Sequence, residues 1–432
     1  MRRKSQITTI ELTDSLKKRL LSWASAEETF IWFDSNASEA RESKVKIDKD
    51  AILAIGSARS ISTSSNDGFN KLSDFRKKVD DFVFGYLSYD LKNEIEALES
   101  SNEDHLDFPE LYFFQPKKVF IWKGRELSQL YLEPYANEMC SDLEEILESE
   151  EKFKYQKALN IKSRIDKDQY TKKVQNILDH IHLGDVYEVN FCQEFYAENS
   201  SMDPFKTFLN LNKLSAAPFA CFLRHQEQYL LCSSPERFAK KTGVTLLSQP
   251  IKGTARRSKN VEEDRQIVAE LAKDEKERSE NIMIVDLVRN DLSKHALQGS
   301  VKVEELCEIY TFKQVHQMIS TISAEVEQSV DPASLIRDLF PMGSMTGAPK
   351  ISAMNIIDEE EVTKRGMYSG AVGYFAPNGD FDFNVVIRSI LYNALKKYVS
   401  FSVGSAITSL SDIDKEYNEC LLKAAALKQV LQ

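Results

Sequence analysis

No two of the six cysteines are spaced as CxxC, no apolar run approaches the ~18 residues of a membrane span, and cations do not outnumber anions. Each absence excludes a class of protein. Cys140, Cys192, Cys221, Cys232, Cys307 and Cys420 are scattered along the chain, so they read as reduced, buried thiols rather than a disulfide framework. Basic Met1-Arg2-Arg3-Lys4 leads into polar Ser5-Gln6 and Thr8-Thr9 instead of a ~7–15-residue apolar signal core, and a cytoplasmic protein is expected. With 56 Lys and Arg against 67 Asp and Glu, the net charge of −11 argues against a non-specific nucleic-acid or acidic-membrane binder. Any anionic ligand must be held by a local site. No internal repeat is evident.

What is present is ample apolar material: 42% hydrophobic and 10% aromatic residues over 432 positions, enough for a large core. Thr29–Phe33, Phe82–Tyr89, Leu111–Phe114, Val119–Trp122 and Leu130–Leu132 read as strands. Ser57–Gly68 reads as a loop on its Ser, Thr, Asn and Gly content. The acidic segment Glu144–Glu151 precedes a change of texture, and a domain boundary is placed near residue 155. Beyond it, Tyr170, Val174, Ile177, Leu178 and Ile181 recur at helical spacing before Gly184, predicting a helix over 168–183. Phe219–Leu223, Tyr229–Cys232 and Val244–Leu247 read as strands, followed by one long helical stretch over 261–288. Asn378-Gly379 marks a hairpin between Met367–Ala376 and Phe381–Tyr392. A strand over 398–403 and a closing helix over 413–431 complete an α+β pattern.

Several segments could carry chemistry. Glu277 and Glu280 are i, i+3, and Glu416, Glu419 and Lys423 are i, i+3, i+7, so each set shares a helix face. Carboxylates on facing helices would suit Mg²⁺, although spacing alone favours two solvated acidic faces. Phe340–Lys350, with Gly343, Ser344, Thr346 and Gly347, is not a Walker loop because Pro349 removes a backbone donor; it suits either a carboxylate cradle at a helix start or a tight turn. In Pro250-Ile251-Lys252-Gly253-Thr254-Ala255-Arg256-Arg257, Lys252 could be a nucleophile only if burial or cations lowered its pKa, and Arg256 and Arg257 are the expected cations; otherwise it is a surface charge. His316 alone reads as a structural donor. Glu236 in Ser234-Pro235-Glu236-Arg237 suits either acid–base work or a salt bridge.

Together these segments resemble the chorismate-utilising enzymes, which include anthranilate, aminodeoxychorismate, isochorismate and salicylate synthases. The matching runs are 184–190 (Gly-Asp-Val-Tyr-Glu-Val-Asn), 234–237, 250–254, 280–291, 340–350, 368–373 through Arg388, and 416–423, with a weaker likeness at 84–91. The resemblance implies large antiparallel sheets packed as a sandwich with helices outside, a β-rich region over 1–155 and a chorismate-binding catalytic domain over 156–432. It implies Mg²⁺ on Glu280 and Glu419, with Glu277 and Glu416 acting through water. It further implies Arg388 and the amides near Gly404 on a substrate carboxylate, a pocket lined by Ser344, Gly347, Tyr368, His316 and Lys423, and Glu236 as acid–base group. Lysine at 252 marks the aminating branch that acts at ring carbon four, where anthranilate synthases carry alanine. In that branch the lysine attacks carbon two and ammonia then displaces it.

Two positions depart from the pattern. Glu188 stands where aminating members carry Gln and isochorismate-forming members Lys, although the resemblance still puts it among the catalytic groups. Ser405-Ala406 stands where Ala-Gly is common. The sequence shows no glycine-flanked nucleophilic cysteine of the glutaminase type, so a glutamine amidotransferase subunit is expected to supply ammonia. No lyase domain is evident either, so the aminated product should be released. The other readings are anthranilate synthase component I, isochorismate synthase, or an inactive chorismate-binding subunit.

Overall fold

The computed structural model describes residues 2–64, 67–150 and 158–432; the boundary expected near residue 155 lies outside them. Among these residues, twenty strands join into one hydrogen-bonded sheet. In the first third lie β1 (Thr29–Asp34), β2 (Ala51–Thr63), β3 (Val83–Leu87) and β4 (Leu111–Lys123). The site region is built from β5 (Glu188–Ala197), β6 (Phe219–His225), β7 (Gln228–Ser234), β8 (Ile251–Arg256), β9 (Val315–Glu325), β10 (Ala371–Phe375), β11 (Phe381–Val385), β12 (Ser389–Asn393) and β13 (Tyr398–Thr408). Its helices are α1 (Lys167–Leu183), α2 (Val261–Lys273), α3 (Glu275–Ser293), α4 (Lys350–Glu360) and α5 (Ile413–Leu431).

The first third is woven into the rest. Strand β1 pairs antiparallel with β6 from Thr29↔His225 to Asp34↔Ala220, and β3 pairs with β10 from Val83↔Phe375 to Leu87↔Ala371. Phe30, Trp32, Phe120, Trp122, Phe222 and Phe401 accordingly share one apolar cluster. Burying each such side chain contributes roughly 1.5–3 kcal/mol.

Local chemistry sets the element ends. Asp166 and Gln169 form a reciprocal capping box on α1, and Gly184 closes it in the left-handed conformation. At the tip between β10 and β11, the Ala376 N–H donates to the Asp380 carbonyl and Gly379 takes φ +82, so Asn378-Gly379 lies within a three-residue loop.

Two expectations fail. Residues 57–63 are strand, not loop: Ser60, Ile61 and Ser62 pair with Phe114, Phe113 and Tyr112 of β4, and a long aromatic partner strand outweighs loop-like composition. Pro116 of β4 sits beside the register shift between Ser57 and Arg59, where its missing N–H is tolerated. The long helix breaks at Asp274, whose ψ of 112° leaves the helical range and whose carboxylate caps α3 by accepting from the Glu277 N–H. Lys276, Glu277 and Glu280 therefore occupy the first turns of a separate helix.

Candidate active site

One cavity gathers side chains from β5, the turn after β7, β8, α3, β9, the 340–349 loop, the turn before β10, the link between β11 and β12, β13 and α5. Lys252, Glu236, Glu277, Glu280, Ser344, Tyr368, Arg388, Gly404, Glu416, Glu419 and Lys423 all line it. Helix α3 is pinned to the strands by Asn281, whose Nδ2 donates to the Lys252 and Met318 carbonyls at 3.2 Å each. That tie sets the acidic face of α3 against Lys252. Gly253 follows with φ +95, and a Cβ there would come within 3.1 Å of Met318 Cβ and 3.3 Å of Glu277 Oε2.

Lys252 Nζ donates to Glu188 Oε1 at 2.5 Å, and Glu188 is fully buried behind it. Burial works to lower the Lys252 pKa, but Glu188, Glu280 and Glu236 outweigh it and hold the ammonium above its ordinary value. Arg256 and Arg257 do not act on it. Arg256 is exposed, 3.8 Å from Glu263, and Arg257 is bound to Asp264 and the Phe312 carbonyl. Four residues of strand separate Arg256 from Lys252, about 13 Å of rise.

Glu236 is buried and accepts from Ser344 Oγ at 2.7 Å; burial, only partly offset by Ser344 and Lys252, pushes its carboxyl up to about 7. It is thus half-protonated near neutrality, the state from which one group can both give and take a proton. Burial likewise pushes Glu280 up to about 7, against the pull of Lys252. Arg388 has no side-chain ion pair among the described residues and leaves its guanidinium available to an anion in the cavity.

His316 is a correction. Its Nε2 meets Asp264 Oδ1 at 2.9 Å and its Nδ1 meets Thr311 Oγ1 at 3.0 Å, while the neighbouring Gln317 lines the cavity. Successive strand residues point to opposite faces, and His316 has the wrong phase. Gly347 and Glu188 lie just behind the cavity wall. A Cβ on Gly347 (φ +148) would come within 2.1 Å of the Glu188 carbonyl, so glycine permits that approach. Gly404 serves through its carbonyl, which accepts from Lys423 Nζ at 2.9 Å, while Lys423 also meets Glu419 at 2.7 Å.

The sequence reading missed Lys276, although its i, i+4 spacing to Glu280 was visible. Its Nζ lies 3.8 Å from Glu280 Oε1 and 3.5 Å from Glu416 Oε1, so a cation already bridges the two acidic helices. Glu280 Oε1 is buried without a hydrogen-bond partner. No group of three or more His, Cys, Asp or Glu side chains poised to hold one metal ion is found among the described residues. Mg²⁺ asks for less: one or two carboxylates, with water and substrate oxygens completing its shell. A buried carboxylate oxygen without a hydrogen bond and a lysine cation lodged between hard donors fit that requirement.

Residues 23–429 match the family described as chorismate binding enzyme. The chain belongs to that family. Among relatives of this chain, a rice (Oryza sativa subsp. japonica) protein named "Probable aminodeoxychorismate synthase, chloroplastic" is 43% identical over 62% of the chain. Aminodeoxychorismate synthase component 1 of Bacillus subtilis is 32% identical over 81% of it. The matches span 30% of the rice protein and 77% of the Bacillus protein. Anthranilate synthase component I from Streptococcus pneumoniae shares the fold, with a TM-score of 0.78 at 24% identity over 87% of this chain and 91% of its own. No helix among the described residues is long and apolar enough to cross a membrane.

Proposed function

We propose that this chain is the synthase component that converts chorismate and ammonia into 4-amino-4-deoxychorismate, the precursor of p-aminobenzoate and folate. The observation that carries the reading is Lys252, projecting into the family's cavity between Glu236 and Glu188. By the resemblance, anthranilate synthases carry alanine at this position. Lys252 attacks ring carbon two while protonated Glu236 gives its proton to the departing carbon-four hydroxyl. Ammonia then adds at carbon four and the lysine leaves, so one difficult displacement becomes two easier ones.

Arg388 and Lys423 supply positive charge for the substrate carboxylates. Glu280 and Glu419 would hold Mg²⁺, with Glu277 and Glu416 outside them, and the ion would neutralise the ring carboxylate there. Ammonia comes from a separate glutamine amidotransferase subunit. All six cysteines are free and five are buried, which goes with a reducing, cytoplasmic setting.

The test is product identification by mass spectrometry after incubation with chorismate, Mg²⁺ and ammonium salt. Aminodeoxychorismate is expected; anthranilate or isochorismate would refute the assignment. Glutamine should not replace ammonium unless the partner is added.

A further inference from the structure

Lys252 is held in the wrong state for its proposed work. Glu188, Glu236 and Glu280 all favour its ammonium, and an ammonium cannot attack carbon. Activation therefore needs an acceptor within reach of Nζ before substrate reacts. Glu236 cannot be that acceptor, because in the same step its own proton goes to the departing hydroxyl. Glu188 is in place. Its Oε1 is the hydrogen-bond partner of Nζ at 2.5 Å, and its other oxygen, Oε2, is buried with no partner at all. A carboxylate kept for structure alone normally has both oxygens satisfied.

We infer that Glu188 is the proton store for Lys252: it takes the ammonium proton before attack and returns it when the lysine is released. This rests on the covalent reading above, and the balance closes. Proton transfer from Lys252 to Glu188 gives a neutral amine and a carboxylic acid. The amine forms the bond to carbon two, the ring double bonds shift, and the carbon-four C–O bond breaks as Glu236 delivers the proton that completes water. Ammonia then bonds to carbon four, the electrons shift back, and the carbon–lysine bond breaks to release the neutral amine. Glu236 carboxylate takes the surplus proton from the new ammonium group, and Glu188 returns its proton to Lys252. The sum is chorismate plus ammonia giving aminodeoxychorismate plus water. Because Glu188 stands where the resemblance implies Gln, this device belongs to this chain rather than to the branch.

The test follows adduct formation by rapid quench and intact-mass analysis, with chorismate and Mg²⁺ but no ammonia. Glu188→Gln keeps the shape and the hydrogen-bond acceptor but cannot store a proton. It should slow adduct formation by about 10²-fold or more, with chorismate affinity within about twofold. Glu188→Ala should be slow as well and be rescued by added formate, a response that a merely structural carboxylate would not give. If the wild type forms adduct and Glu188→Gln matches its rate, or if formate leaves the alanine variant unchanged, the proton-store role is wrong while the covalent reading stands. If the wild type itself forms no adduct, it is the covalent reading that fails.

Discussion

Two buried cation–carboxylate pairs lie against strand β5, and they are built differently. Arg365 and Glu361 are saturated. The guanidinium meets Glu361 through Nε and Nη2, with contacts down to 2.6 Å, and donates to the Met345 and Asn190 carbonyls at 2.7 Å each, while Glu361 also accepts from the Cys192 N–H. Lys252 and Glu188 share one hydrogen bond and leave a carboxylate oxygen bare. A pair whose polar groups are all answered holds the fold, whereas one that leaves a buried carboxylate oxygen bare behind a cavity wall keeps a place where a proton can be lodged.

The sharpest way to break that contrast is to remove each cation. Lys252→Ala should cost turnover on the order of 10⁴-fold or more while leaving chorismate affinity nearly unchanged, because the lost interaction is made during reaction. Lys252→Arg should fail almost as badly, since guanidinium stays protonated. Steady-state kinetics and isothermal titration read both. Arg365→Met should instead show in stability, with a loss of about 3–5 kcal/mol in urea unfolding, because it strands a buried carboxylate. If the two variants exchanged phenotypes, the distinction would collapse.

Glu236→Gln should lower turnover by about 10²–10³-fold. In the wild type, the acid form of Glu236 is lost as pH rises through about 7, so the rate should fall above that pH. Its raised pKa also makes a stability contribution present below the ordinary carboxylate range and lost as pH rises toward about 7. Thermal melts of Glu236→Gln between pH 4 and 8, a range spanning about both pKa values, should therefore slope less than those of the wild type. Glu280→Gln should weaken Mg²⁺ binding, read by calorimetry without turnover, by at least about tenfold. Smallest of all, Arg256→Ala and Arg257→Ala should change turnover by less than about twofold, since neither cation reaches Lys252.

The residues of the candidate site were legible because they stand in short runs: Lys252 in Pro-Ile-Lys-Gly-Thr, Glu236 after Ser-Pro, and the glutamates at helical spacing on α3 and α5. The structure brings those runs into one cavity. Illegible were the properties that depend on phase and on long-range pairing. One residue of strand phase turns His316 away and presents Gln317. Glu188 meets Lys252 across 64 residues of sequence. Arg365 and Glu361 are visible as an i, i+4 pair, yet their purpose lies in carbonyls and an amide of β5 that no local pattern reveals. In the fold, composition misjudged residues 57–63 because a strand's partner, not its own residues, decides whether it forms.

The proposed reaction turns on a covalent bond between Lys252 and the substrate. Enzyme mixed with chorismate and Mg²⁺ in the absence of ammonia, quenched, digested and sequenced by mass spectrometry, should carry chorismate less one water on the Lys252 peptide, and added ammonium should discharge it as aminodeoxychorismate. An unmodified Lys252 in enzyme that turns over normally once ammonium is supplied would contradict the claim and reduce the lysine to a fixed positive charge.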